Sequence, residues 1–107
     1  MVNGNIAARG IKIYPSGHWP DYVFDKDYSL QPLSEVESYI TENKKLPAIP
    51  SAQEIKEKGM DMPELQRLQM QKIEELTLYA IAQQKQIEEL IKRNKEQEKR
   101  IQKLEKK

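Results

Sequence analysis

From residue 64 to residue 107 the chain contains neither glycine nor proline, whereas all four glycines and all six prolines lie in the first 63 residues. Nothing over those last 44 residues stops a helix once it has begun. At about 1.5 Å per residue such a helix would be roughly 65 Å long, more than the remaining residues could cover. Most helical stability in proteins comes from burying an apolar face, so a lone helix of this kind in water is not self-sufficient. The composition sharpens the point: 37% of the 107 residues are hydrophobic and 33% are charged. A domain of this length buries roughly two thirds of the surface its unfolded chain exposes, which a mean hydropathy of -0.85 makes difficult for one copy.

The helix carries a seam. With Ile73 at position a, Ile73, Ala80, Ile87, Asn94 and Ile101 fall at a, and Leu76, Gln83, Leu90, Gln97 and Leu104 fall at d. This is a coiled-coil heptad over almost five repeats, and its partners are to be sought in other copies of the chain. In a parallel bundle a g residue meets the following e residue of its neighbour. Arg93 then faces Glu98, and Arg100 faces Glu105, with opposite charges at both steps. Isoleucine at a with leucine at d leans toward two strands. Residues 100–105, however, follow the trimer-specifying order Arg, apolar, two intervening residues, apolar, Glu. A parallel homotrimer is therefore expected, with a dimer as the runner-up. Asn94 and Gln97 place amides in the seam, which lowers stability but fixes register, because slipped chains would bury unpaired amides. Leu65, Leu68, Leu78, Tyr79 and Ile81 lie off the a/d stripe and are expected to carry the upstream residues on the outer face of the helix.

Upstream, three capping boxes fall within 31 residues: Ser34 with Glu37, Ser51 with Glu54, and Asp61 with Glu64. They predict a helix over about 35–43 burying Val36, Tyr39 and Ile40, a second over about 52–58 ending at Gly59, and a third from Asp61 with Pro63 in its first turn. The stretch 46–50, Leu-Pro-Ala-Ile-Pro, reads as an extended linker. Residues 2–13 open on the turn signal Asn3-Gly4-Asn5 and continue with Ile11 and Ile13 around Lys12, a short strand pattern resembling the end of a β-region. Residues 14–28 are aromatic-rich, with two prolines that forbid a regular helix, and Val23 is expected at the centre of a short extended piece. The fold class is thus mainly α: residues 1–13 ending a β-rich stalk, a small β/aromatic head over 14–60 with two short helices, and a long coiled-coil helix over 61–107.

Several kinds of chemistry are disfavoured. There is no cysteine, hence no disulfide, thiolate metal site or cysteine nucleophile, and the lone histidine, His18, gives no pair for zinc and no triad at recognisable spacing. Eighteen basic against 17 acidic residues leave a net charge of +1, which offers no general electrostatic attraction for nucleic acid. No apolar run approaches the roughly 20 residues that span a bilayer, and the first residues lack the pattern of a signal peptide, so a soluble chain without membrane insertion is expected. Asp21, Asp25 and Asp27 lack the glycine and distal glutamate of a helix-loop-helix calcium site and read as a solvated loop. Glu74-Glu75 and Glu88-Glu89 diverge on a helix and read as a solvated face rather than an acid–base pair. No metal, cofactor or catalytic residue is assigned.

Five segments carry a family resemblance: Val2-Asn3-Gly4-Asn5-Ile6-Ala7-Ala8-Arg9; Trp19-Pro20-Asp21-Tyr22-Val23-Phe24; Tyr28 and Leu30 leading into Leu33-Ser34-Glu35-Val36-Glu37; Leu46-Pro47 with Ile49-Pro50-Ser51; and Lys72-Ile73-Glu74-Glu75-Leu76-Thr77-Leu78-Tyr79. Together they span nearly the whole chain and resemble the C-terminal region of bacterial tail-fibre-domain proteins. That region is similar in plan to the C-terminal intramolecular chaperone of phage endosialidase tailspikes. The resemblance implies a trimeric assembly cap that aligns three chains so that an upstream fibre folds in register, set on a virion tail or bacterial cell surface as part of a longer protein. The chaperones cleave themselves at a Ser followed by Asp. Here Ser16, Ser29, Ser34, Ser38 and Ser51 are followed by Gly, Leu, Glu, Tyr and Ala, so no catalytic residue is carried over.

The function expected is a non-enzymatic trimerisation and folding cap. The alternative is a receptor- or glycan-binding tip, for which Tyr14, Trp19 and Tyr22 would supply a stacking platform; the competing reading makes these rings the core of the small head.

Overall fold

The computed structural model describes residues 3–14, 17 and 19–106. The architecture is mainly helical: a 3-10 turn at Pro20–Phe24, then α1 at Leu33–Asn43, α2 at Ala52–Lys58 and α3 at Met62–Glu105. The chain divides into two compact units, Met1–Gln71 and Lys72–Lys107.

No strand occurs among the described residues, which corrects the β-rich start and the β content of the head. Residues 3–14 have no backbone–backbone hydrogen bond to another described residue. An alternating pattern predicts only which face a strand would bury; a ladder also requires a partner edge, and one copy supplies none here. Met1 and Val2, on which the strand reading began, lie outside the described residues.

The extended piece centred on Val23 is likewise replaced, by the 3-10 turn. Pro20 occupies its first position, where a fixed φ and a missing N–H suit a helical start. The turn closes when the Asp25 N–H donates to the Tyr22 carbonyl at 3.1 Å. Five residues of 3-10 geometry are enough to sink Val23 to 1% exposure and bury Pro20. Around them, the Tyr22 and Tyr28 rings lie 5.9 Å apart at 52°, and Gln71 Nε2 donates to the Tyr28 hydroxyl at 3.3 Å. Leu68, 6% exposed, is the buried apolar residue that α3 contributes to this unit. Tyr14 is 83% exposed and Trp19 42%, so of the three rings expected as core only Tyr22 is even half-buried. Small apolar groups, rather than the large rings, make this core.

Helix α1 begins two residues before the expected start. Pro32 is its N-cap and offers no side-chain cap, and Ser34 lies inside the first turn. Its carbonyl accepts from the Ser38 hydroxyl at 3.1 Å, so the Ser34–Glu37 box is not formed as a cap. The stripe expected to be buried is open: α1 has no buried residue, Val36 and Tyr39 are half-buried, and Ile40 is exposed. Tyr39 is instead engaged by Lys45, whose Nζ donates to its hydroxyl at 2.8 Å and stands 5.1 Å from the ring centre. The helix ends at Lys44 in the left-handed conformation, φ 58°, with its N–H on the Ile40 carbonyl at 2.8 Å.

Helix α2 forms with its capping box complete. The Glu54 N–H donates to Ser51 Oγ and the Ser51 N–H donates to Glu54 Oε1, each at 3.2 Å. Gly59, φ 72°, ends it, a backbone angle that favours glycine. Between α1 and α2, Ala48 also has positive φ, 67°, within the linker read as extended. Helix α3 starts at Met62, with the Leu65 N–H on the Asp61 carbonyl at 2.9 Å, and Arg67 bonds Glu64 through both Nε and Nη2.

Two outcomes are expected. Lys44→Gly removes a side chain from a left-handed position and should stabilise the first unit by about 0.5–1 kcal/mol, seen as a higher midpoint of Trp19 fluorescence on heating, with Lys44→Ala giving no gain. Ser51→Ala should cost about 1 kcal/mol. The hydrogen bonds from Ser51 hold the Glu54 carboxyl below the usual glutamate range. The carboxylate's contribution, made chiefly through the Ser51 backbone N–H, is therefore complete above that range and is lost as pH falls through the depressed value, so the wild-type and Glu54→Gln melting curves should converge in acid.

Candidate functional site: the seam of the long helix

Helix α3 runs 44 residues without a break, about 66 Å at 1.5 Å per residue. Its residues fall into two regimes. Between 65 and 79 one line of positions is covered: Leu68 is buried, Leu65, Gln71, Glu75, Leu78 and Tyr79 are half-buried, and Glu74 is 6% exposed. From 80 to 106 every residue is exposed.

The a/d row lies on the open side throughout. Ile73 is 53% exposed, Leu76 63%, Ile87 50%, Leu90 57%, Ile101 54% and Leu104 70%. Ala80, Gln83, Asn94 and Gln97, which complete the row, are exposed as well. At 3.6 residues per turn, positions three and four apart stack along one face, so these ten residues form a single stripe. The preceding a and d positions hold Gln66 and Gln69, so the apolar row starts at Ile73, two residues after the boundary between the compact units.

The off-seam expectations fare unevenly. Leu68 is buried and Leu65, Leu78 and Tyr79 are partly so, but Ile81 is 48% exposed. The pair Glu74-Glu75 is not the solvated face expected of it. Glu74 is buried, and Glu75 is half-buried and paired with Lys72 at 3.2 Å. The reason is positional: Glu75 follows Leu68 by seven residues and Leu78 follows Gln71 by seven, so all four share the covered line of the helix. Burial, and then Glu75, raise the Tyr79 hydroxyl above the ordinary tyrosine pKa. A polar residue on a covered helix line was legible from its spacing relative to Leu68; the charge obscured it.

Of the residues expected to pair between chains, Arg93 bonds Glu89 within its own helix, Nε to Oε1 at 3.3 Å. This exposed pair is one turn long and worth little in water. Glu98, Arg100 and Glu105 are exposed. In the first unit Arg67 pairs with Glu64, which holds the Glu64 carboxyl below its usual range and the guanidinium more firmly protonated, with the Tyr22 hydroxyl a further contributor. Tyr22 is half-buried beside Tyr28, while Tyr14 and Trp19 present exposed rings. His18 and Ser16 lie outside the described residues. Among the described residues, no group of three or more His, Cys, Asp or Glu is placed to hold a metal ion, and no helix is long and apolar enough to cross a membrane.

Compared with protein-family models, curated proteins and solved structures, the chain matches none.

If this row is buried between copies, Leu90→Asp should dissociate them, because each chain would then place a carboxylate in a d layer at a cost of several kcal/mol. Sedimentation velocity at micromolar concentration should show smaller species than the wild type. Replacing Asn94 with Ile and Gln97 with Leu together should raise the melting temperature and broaden the distribution of oligomers, since the amides give up stability for a single register.

Proposed function

We propose that the chain is a trimerisation and folding cap, acting by bringing copies together and without catalysis. The observation that carries this reading is the exposed apolar row of α3, with six Ile and Leu side chains at heptad spacing each half or more in solvent. Burying one such side chain is worth about 1.5–3 kcal/mol. That gain, repeated along the row, is open to a helix of the same length and spacing, which a second and third copy provide.

Orientation follows from charge. In parallel register Arg93 meets Glu98 of a neighbouring copy and Arg100 meets Glu105. The bond from Arg93 to Glu89 is exposed and weak enough to be exchanged. The order of residues 100–105 favours three chains over two, since the arginine stem can cover the apolar layer while its guanidinium reaches the next chain's glutamate.

The resemblance to tail-fibre C-terminal regions supports the same reading and supplies its context: an upstream fibre whose strands must start in register. Long-range strand pairing is slow because loop closure precedes the contacts that reward it, and unpaired edges aggregate meanwhile. Helices that zip first hold the ends together and shorten that search.

Light scattering of the isolated chain should give three times the chain mass; a monomer at micromolar concentration would overturn the proposal. A parent fibre lacking residues 61–107 should run as single or aggregated chains on a gel without boiling, whereas the complete fibre should run as a trimer of intact mass. Trimers formed equally well without the segment would leave the glycan- or receptor-binding tip as the better account.

A further inference from the structure

The face of α3 opposite the seam has a feature that assembly does not use. Lys95, Lys99, Lys103 and Lys106 follow one another at spacings of four, four and three residues. At 3.6 residues per turn they fall within an arc of about 80° and form a ridge about 16 Å long, roughly opposite the a/d row. All four are exposed, and no ion pair or hydrogen bond to another described residue engages their ammonium groups.

Helix physics does not call for this arrangement. Cations are favoured by the helix dipole only within the last turn, which accounts for Lys103 and Lys106 but not for Lys95 and Lys99. Like charges four residues apart destabilise a helix, and the ridge holds two such steps, Lys95 to Lys99 and Lys99 to Lys103. Elsewhere in α3 the lysines are compensated: Lys85 has Glu88 and Glu89 within a turn, and Lys92 has Glu88, Glu89 and Glu96. Along the ridge, acids stand three or four residues from a lysine only at Glu96 and Glu98, and Lys103 and Lys106 have none at that spacing.

We propose that this ridge is a docking surface for a linear anionic polysaccharide, with sulfate, phosphate or carboxylate groups spaced along the polymer meeting successive lysines. Charge complementarity selects a polyanion. Lysines without interleaved aromatic rings offer point charges and no platform for stacked bases, so the surface is unsuited to single-stranded nucleic acid. A membrane-surface helix would have to bury the face opposite its lysines in lipid, and here that face is the amide-bearing seam, with Asn94 and Gln97 between its apolar layers. The ridge is exposed in the single chain and lies at b, c and f positions, which point outward in any coiled coil, so the proposal does not depend on the number of strands.

The test uses the full chain with a fluorescent heparin oligosaccharide as probe, followed by anisotropy across a salt series. The wild type should bind, with affinity falling steeply as salt rises. The variant with Lys95, Lys99, Lys103 and Lys106 all changed to Gln should lose at least about tenfold in affinity at low salt, while Lys85→Gln with Lys92→Gln should lose much less. Sedimentation of the same samples should show the same oligomer for all three proteins, so loss of binding is separable from loss of assembly. The proposal is overturned if heparin does not bind, if the four-lysine variant binds as well as the wild type, or if duplex DNA or phosphatidylglycerol vesicles bind as tightly as heparin.

Discussion

The structure depends on an apolar stripe that one copy of the chain leaves in water. Helix α3 presents Ile73, Leu76, Ile87, Leu90, Ile101 and Leu104 along one side, and no described residue beyond 79 is even half-buried. Hydrogen bonding within a helix is local and complete along its length, but its net worth in water is small, and a helix persists in a protein chiefly because a face is buried. The second unit therefore has secondary structure without a core of its own. The first unit has a core of a few small groups, Val23, Pro20 and Leu68, stiffened by the contacts of Tyr22, Tyr28, Arg67 and Gln71. The apolar residues of α3 beyond residue 79 lie along a line that no described residue of the same chain buries.

What could be read from the sequence follows the range of the interactions involved. The capping box of Ser51 and Glu54 involves residues three apart and formed as spacing predicted. The uninterrupted helix from Met62 rests on the absence of breakers and on periodicity, both local as well. The box at Ser34 failed because a competing local signal was stronger: Pro32 precedes two residues that accept helical geometry, so the first turn formed earlier and took Ser34 inside it. At Pro20 two local rules conflicted. Proline was read as forbidding a helix, but at the first position it starts one, and the short turn that resulted buries the valine assigned to an extended piece.

Burial was less legible, because it is set by what lies across from a residue. Glu74 and Glu75 look like surface residues by type, yet one is buried and the other half-buried; Tyr14 and Trp19 look like core and are exposed. In α1 the stripe of Val36, Tyr39 and Ile40 is amphipathic, but no residue of that helix is fully buried. The segment 3–14 shows the same limit in strand form, with an alternating pattern and no ladder among the described residues. Periodicity states which side of an element is prepared for a partner; it does not supply the partner. The seam itself belongs to this class, legible as a stripe and silent about the chains that would cover it.

The unbroken run of α3 also governs which changes of length the chain can tolerate. Each residue added to or removed from a helix turns everything beyond it by about 100°, so a single deletion near residue 85 would swing Leu90, Ile101 and Leu104 away from the line of Ile73 and Leu76. Removing seven residues restores the phase to within about 20° and shortens the rod by about 10 Å. The helix is thus a ruler graduated in heptads. A change in its length keeps the stripe on one line only in such whole steps, whereas a single-residue change in the Gly- and Pro-bearing segment before it leaves that line unbroken.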